Sequence, residues 1–267
     1  MISRLTLQAA IDAELRPDAF KDYTVNGLQV EGRERITRVM TGVTACQALL
    51  DAAVAWEADA VLVHHGYFWK NEPVAVTGMK RRRFATLLGH DINLLAYHLP
   101  LDAHPELGNN ACLGRRLGLV AERCLDGDMG QGLLWFGAPD PEFGGAVLNG
   151  NGLNGTELDS RALAKRIEAA LGRRPLLIEG HSGPLERIAW CTGGAQDMLP
   201  LAAEAGAQAF ISGEISERTT HLARELGVTY LAAGHHATER DGIEALGEWL
   251  AARFDIEHRF VDIDNPA

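Results

Sequence analysis

The chain has little with which to staple itself together. Its four cysteines, Cys46, Cys112, Cys124 and Cys191, are far apart and form no C-x-x-C pair; this excludes a zinc knuckle and a disulfide framework and leaves reduced, buried thiols. No apolar run approaches the roughly 18–20 residues that cross a bilayer. The N-terminal MISRLTLQAAIDAEL reads as an amphipathic helix with acidic residues and lacks the apolar core and small-residue cleavage site of a secretory signal. The expected location is the cytoplasm, with no membrane partner. Positive charge is scarce, with 25 Lys and Arg against 36 Asp and Glu and a net charge of −11, so broad binding to a nucleic-acid backbone is disfavoured. The one basic run, Lys80 to Arg83, reads as a solvated first turn of a helix, with a contact for an anionic substrate as the alternative. A P-loop is missing, as is every other recognisable nucleotide motif.

What remains is an ordinary globular composition, 46% hydrophobic and 23% charged over 267 residues, long enough to bury a sizeable core in two domains. Strand-like runs alternate with helix-length amphipathic segments: ITRVMTGV, CQALLDAAVAWEA, DAVLVHH, RRFATLLGHD and INLLAYH. That rhythm predicts parallel α/β units. It returns as RIAWCTGG, QDMLPLAAEAG, AQAFISGE, RTTHLARELG, VTYLAAGHH and IEALGEWLAARF, closing on IEHRFVDI.

The turns also correspond. The first strand of each run ends in Thr-Gly, at Thr41-Gly42 and Thr192-Gly193; the second ends in VLVHHG or AFISGE; the third ends in a His followed four residues later by an acid, His98 and Asp102 or His235 and Glu239. The fold class expected is therefore α/β, two related three-layer halves from an internal duplication, 1–125 and 126–267, with a metal site between them. Between the two runs, residues 138–158 are rich in Gly, Asn and Pro and read as a long loop; a helix from Ser160 and the strand RPLLIEG follow.

In parallel α/β sheets, ligands bind outside the carboxyl ends of the strands. His64-His65 closes AVLV, His98 closes INLLAY, and His235-His236 closes TYLAA. A strand-end His-His pair is ordinary when alone, and adjacent side chains on a regular strand point to opposite faces. The pair can serve one cavity where the strand gives way to a loop, a break Gly66 can supply, or where each ring meets a different metal ion. Asp102 and Glu239 add carboxylates, and imidazole with carboxylate is a ligand set for zinc, iron or manganese. Five ligands, His64, His65, Asp102, His235 and Glu239, suit two divalent metal ions better than one. Thr238 reads as a helix N-cap with Asp241 three residues on, placing Glu239 in the first turn beside His235, with His236 aimed elsewhere. His104 is a candidate partner of the ligands. His90, His181, His221 and His258 fit helix ends, loops or solvent faces.

NGLQVEG at 26–32, VLVHHG at 61–66, AYHLPLD at 96–102 and AAGHHATE at 232–239 together resemble the Nif-three-like family, also known as the GTP cyclohydrolase I type 2 family. The resemblance implies a dinuclear metal centre between two related α/β domains and a toroidal hexamer built as a trimer of dimers. It implies the same five ligands, with Glu239 able to bridge, and leaves His98 as a catalytic candidate for proton transfer or for supporting a ligand. Two adjacent metal ions suit hydrolysis, so the expected function is a dinuclear metal-dependent hydrolase, GTP cyclohydrolase-like, in which metal-activated water attacks a purine ring. The expected partners are a small-molecule substrate, with a nucleotide as the candidate, and further copies of the chain. The competing expectation is a non-enzymatic metal-binding hexameric scaffold or a metal-handling regulator.

Overall fold

A computed structural model describes residues 1–127, 130–142 and 158–267. Most of the Gly- and Asn-rich stretch expected as a loop, 143–157, lies outside the described residues. The chain forms two compact units. One is mainly Met1–Asn109 with Arg240–Asp264, and the other mainly Asn110–Gly127 with Gly132–Glu239.

The first unit is built on a five-stranded sheet in the order Glu257–Phe260, Arg38–Thr44, Ala60–His65, Asn93–Ala96, Gly27–Val30. The first four strands are parallel and the last is antiparallel. Ala60 to His64 is buried throughout, as a central parallel strand covered on both faces must be. Alternation divides it: Ala60 and Leu62 join Val39, Val43 and Leu95 in one core, while Val61 and Val63 join Met40, Leu94 and Ala96 in the other.

The first core is closed by two helices. Arg4–Leu15 is started by Ser3, whose hydroxyl accepts from Thr6 N, and it buries Leu7, Ile11 and Leu15 at four-residue spacing. Arg240–Phe254 buries Ile243, Leu246 and Leu250 in the same cluster. Each such leucine or isoleucine contributes about 1.5–3 kcal/mol by leaving water. The second core is closed by Gln47–Ala55, through Leu49, Leu50 and Ala53, and by Leu87 of the helix Gly78–Gly89.

The expected halves 1–125 and 126–267 are therefore drawn differently in the structure. The C-terminal helix completes the first core, and Glu257–Phe260 adds to the first sheet beside Arg38–Thr44. His258, one of the histidines expected at helix ends, loops or solvent faces, is drawn in with them: its Nε2 lies 2.7 Å from Thr41 Oγ1.

The second unit carries a six-stranded sheet in the order Leu119–Gly127, Gly130–Pro139, Ile188–Cys191, Ala209–Ser212, Thr229–Ala232, Leu176–Ile178. The three strands from Ile188 to Ala232 are parallel, with antiparallel neighbours on either side. Trp190 is fully buried with Trp135, Leu163, Ile167 and Ile211, and its indole N–H donates to Asn110 O at 2.9 Å. Ser160–Leu171 supplies Leu163, Ile167 and Leu171 to that core; Asp159 caps its start and Gly172, at φ 74°, ends it. Each sheet thus contains three adjacent parallel strands in chain order, with an antiparallel strand beside the third.

Candidate metal centre

In the first unit the strand continues through both histidines rather than breaking before them. Its last ladder pair with Asn93–Ala96 is at Val63, so on that side His64 and His65 overhang the sheet's carboxyl edge. Their rings approach to 4.4 Å between centroids. Gly66 follows because a side chain there would collide with Gln29 Oε1 and come within 2.6 Å of Ala96 Cβ.

His64 is completely buried. Its Nδ1 lies 3.0 Å from the Tyr97 carbonyl; a carbonyl only accepts, so Nδ1 donates there and Nε2 is the nitrogen turned the other way. That Nε2 is 3.5 Å from Asp102 Oδ1. Asp102 is buried in the short helix Leu99–Ala103, and Asn109 Nδ2 donates to the same oxygen at 2.8 Å.

His98, at the start of that helix, is held by its backbone N–H donating to Asn26 Oδ1 at 2.7 Å and by its Nδ1 at 2.9 Å from Asp22 Oδ1. Burial works to raise the Asp22 pKa, but the bonds from His98, Asn26 and the Leu99 N–H outweigh it and hold the carboxyl below its ordinary value. Ligand atoms of His64, His65 and His98 all lie within 4.8 Å of one another, so His98 stands in a group able to hold a metal ion. His104 braces its own loop instead, with Nδ1 accepting from the Leu107 N–H at 2.9 Å and Nε2 lying 3.3 Å from Glu14 Oε1.

In the second unit, His235–Thr238 is a single helical turn entered through Gly234 at φ 103°, and Glu239 follows it. His235 Nδ1 is 2.7 Å from Glu214 Oε1, and its Nε2 is 3.2 Å from Glu239 Oε1. Burial lowers the pKa of His235, but Glu239 and Glu214 together outweigh that and hold the imidazole up to about 9. Glu239 is 2% exposed. Gly193, at φ 67°, makes room for it, since a Cβ there would strike Glu239 Oε1.

Thr238 is not the expected N-cap. Its hydroxyl lies 2.9 Å from the carbonyls of Gly234 and His235, and it accepts from the Gly193 N–H at 3.1 Å. It ties the turn to the end of the Ile188–Cys191 strand, and Glu239 sits in the break before the next helix.

One pattern recurs at all four site histidines. Nδ1 faces an oxygen of its own unit: the Tyr97 carbonyl for His64, the Thr44 hydroxyl at 3.4 Å for His65, Asp22 for His98 and Glu214 for His235. In metal sites such contacts at one ring nitrogen orient the other, here Nε2, toward the ion. Buried carboxylates beside those nitrogens complete a donor set that fits a divalent cation. The residues missed from sequence are the supporting ones: Asp22, Asn26, Asn109 and Glu214. Glu214 had a signal, as the acid closing AFISGE; Asp22 and Asn109 lie in loop or helix-start sequence with no spacing to mark them.

Fold and site define an α/β protein with His and Asp/Glu groups able to bind a metal ion. Residues 3–266 match the Duf34/NIF3 (NGG1p interacting factor 3) family, and the chain belongs to it. It is 56% identical to a Yersinia pestis protein named GTP cyclohydrolase 1 type 2 homolog, over 98% of each chain. Among solved structures, the protein ybgI, described as of unknown function, is 48% identical with a TM-score of 0.90 over the whole of both chains. A protein from Thermus thermophilus is 32% identical with a TM-score of 0.83, again over both chains in full. No helix among the described residues is long and apolar enough to cross a membrane.

Proposed function

We propose that the chain binds two divalent metal ions, zinc, iron or manganese, through His64, His65 and Asp102 of the first unit and His235 and Glu239 of the second. On this reading it is a dinuclear metal-dependent hydrolase acting on a purine nucleotide in a GTP cyclohydrolase-like reaction. The observation that carries the reading is the shared orientation of the ligand histidines His64, His65 and His235, each with Nδ1 turned to an oxygen of its own unit so that Nε2 is the nitrogen offered to a cation. The name carried by the relatives supports the substrate. The like order of parallel strands in the two sheets supports an internal duplication.

Ions bound there would lower the pKa of a coordinated water and stabilise negative charge on an attacked group. The chain's own residues do the rest. Tyr97 O and Glu214 fix the His64 and His235 rings, and Asn109 holds one Asp102 oxygen in place. His98, backed by Asp22, holds or moves a proton at its Nε2 while one water adds to the purine imidazole carbon and opens the ring to a formamide, and a second water cleaves that formamide to formate and the free amine. In the cytoplasm the chain would work as a toroidal homohexamer.

The test is formate release from GTP by metal-loaded protein, native against His98→Ala. Release that falls by about 10²-fold or more in the variant, with metal content unchanged, supports the reading. Full metal content with no formate from native protein would remove the cyclohydrolase activity and leave the scaffold reading.

A further inference from the structure

The two loops beside the first unit's histidines carry an aromatic series that the metal chemistry does not use. From His64, whose ring centroid is 5.1 Å from that of His98, the series runs to Trp69, 5.1 Å from His98 and edge-on to it at 82°, and then to Tyr23, 5.7 Å from Trp69. Tyr23 also lies 5.1 Å from His98, and Trp69 5.8 Å from His65. Burial falls along it: His64 is fully buried, His98 6% exposed, Trp69 half-buried and Tyr23 42% exposed. Tyr23 and Trp69 thus bring partly exposed ring surface to the edge of the histidine group in a chain that is only 6% aromatic.

The rings are held before any ligand arrives. Trp69 Nε1 donates to Gly66 O at 3.1 Å, which commits the indole's one donor. Lys70 N donates to Tyr23 O at 2.9 Å, clipping the two loops together, and Thr24 Oγ1 donates to Tyr67 O. Gln29 is used up as well: its amide donates to Val25 O and Tyr67 O and accepts from Tyr67 N. Asn26 is spent on Asp22 and His98. Lys80, of the Lys80–Arg83 run, is 3.5 Å from Glu72 and donates to the Pro73 carbonyl. The side-chain amides beside the rings are thus already engaged, and what the two loops offer a planar ligand is ring surface.

We propose that Tyr23 and Trp69 form a stacking platform for the planar ring of the substrate, a nitrogen heteroaromatic of purine size, holding it beside His98. The proposal rests on the metal-centre reading for the chemistry that follows, but stacking itself needs no metal. Two consequences follow. Preorganised rings bind without ordering cost, so metal-free protein should take up a nucleoside. And because stacking tolerates any base with a π-face, the platform should prefer purines to pyrimidines by ring area, with little choice between one purine and another.

The experiment is calorimetric titration of chelator-treated full-length protein with inosine, adenosine and cytidine, alongside the variants Trp69→Ala, Trp69→Phe and Tyr23→Ala. Native protein should bind both purine nucleosides with similar Kd and cytidine more weakly. Trp69→Ala and Tyr23→Ala should each weaken inosine about tenfold, and Trp69→Phe should restore most of the loss. Circular dichroism and light scattering establish that each variant is folded and of native size. Absence of inosine binding by native protein, or an unchanged Kd in Trp69→Ala, overturns the platform. So does a change of particle size in the alanine variants, which would show that the rings pack against another copy of the chain. Nucleoside binding that depends on Trp69 with no formate release from GTP would sink the cyclohydrolase reading and leave the platform standing.

Discussion

His98 Nδ1 lies 2.9 Å from Asp22 Oδ1, and both side chains are nearly removed from water, at 7% and 3% exposure. Asp22 accepts at both oxygens, from Tyr23 N and His98 on one and from Asn26 Nδ2 and Leu99 N on the other. An asparagine cannot accept on both sides, so Asp22→Asn turns an amide N–H₂ against one of these donors. The expected outcome is turnover reduced by about 10²-fold with metal content retained, at about 1–3 kcal/mol of stability. His98 would also lose the acceptor that orients its ring, so turnover per folded molecule should fall; a variant that is merely less stable would keep native turnover per folded molecule.

Glu214 would act on a bound metal through His235, whose Nδ1 it faces at 2.7 Å. It is about half exposed, so Glu214→Gln should leave the fold intact. Metal affinity should fall about 10–100-fold, read by competition with a chromogenic chelator, and Glu214→Asp should recover part of it.

Gly193→Ala forces an L side chain into a positive φ and drives its Cβ at Glu239 Oε1. About 1 kcal/mol of backbone strain follows, visible as a lowered melting temperature. The larger effect should be on metal content, because Glu239 must move.

Much of this is legible in the sequence, and the reasons differ by level. Period-2 and period-3.6 patterns locate the strands Arg38–Thr44, Ala60–His65, Ala209–Ser212 and Thr229–Ala232 because each is short, apolar and bounded by turn residues. Histidines and acids at strand ends stand out because the strands end there. What is not legible is the return of Arg240–Phe254 and Glu257–Phe260 to the first sheet: an amphipathic helix carries a buried face but no label for the core it will enter. The same limit hides Asp22 and Asn109, which reach the site through tertiary contacts 76 and 45 residues away in sequence. Thr238 satisfies the capping pattern, as a Thr before an acid-bearing helix, yet its hydroxyl is taken by Gly193, Gly234 and His235.

Asp59 separates stability from function. It lies just before the strand Ala60–His65, at the end of the sheet opposite the histidines, accepting from Thr37 N and Oγ1, Arg38 N and Arg33 Nη1. Burial works to raise its pKa, but the Thr37 and Arg38 bonds and the Arg33 charge outweigh it and depress the folded value. A depressed carboxyl stabilises the fold above its unfolded pKa of about 3.9, and that contribution is lost as pH falls through the folded value. Asp59→Asn should therefore cost about 1–3 kcal/mol near pH 7. The gap between native and variant should narrow below about pH 4, and metal content should stay native, as followed by denaturant titration across pH.

The most direct measurement is elemental analysis of the purified chain after reconstitution, native against Glu239→Ala. About two divalent ions per chain in the native protein, with at least one lost in a variant of unchanged circular dichroism, is the result expected. Native protein that holds no metal, or a variant that keeps the full complement, would contradict the metal centre on which the proposed function stands.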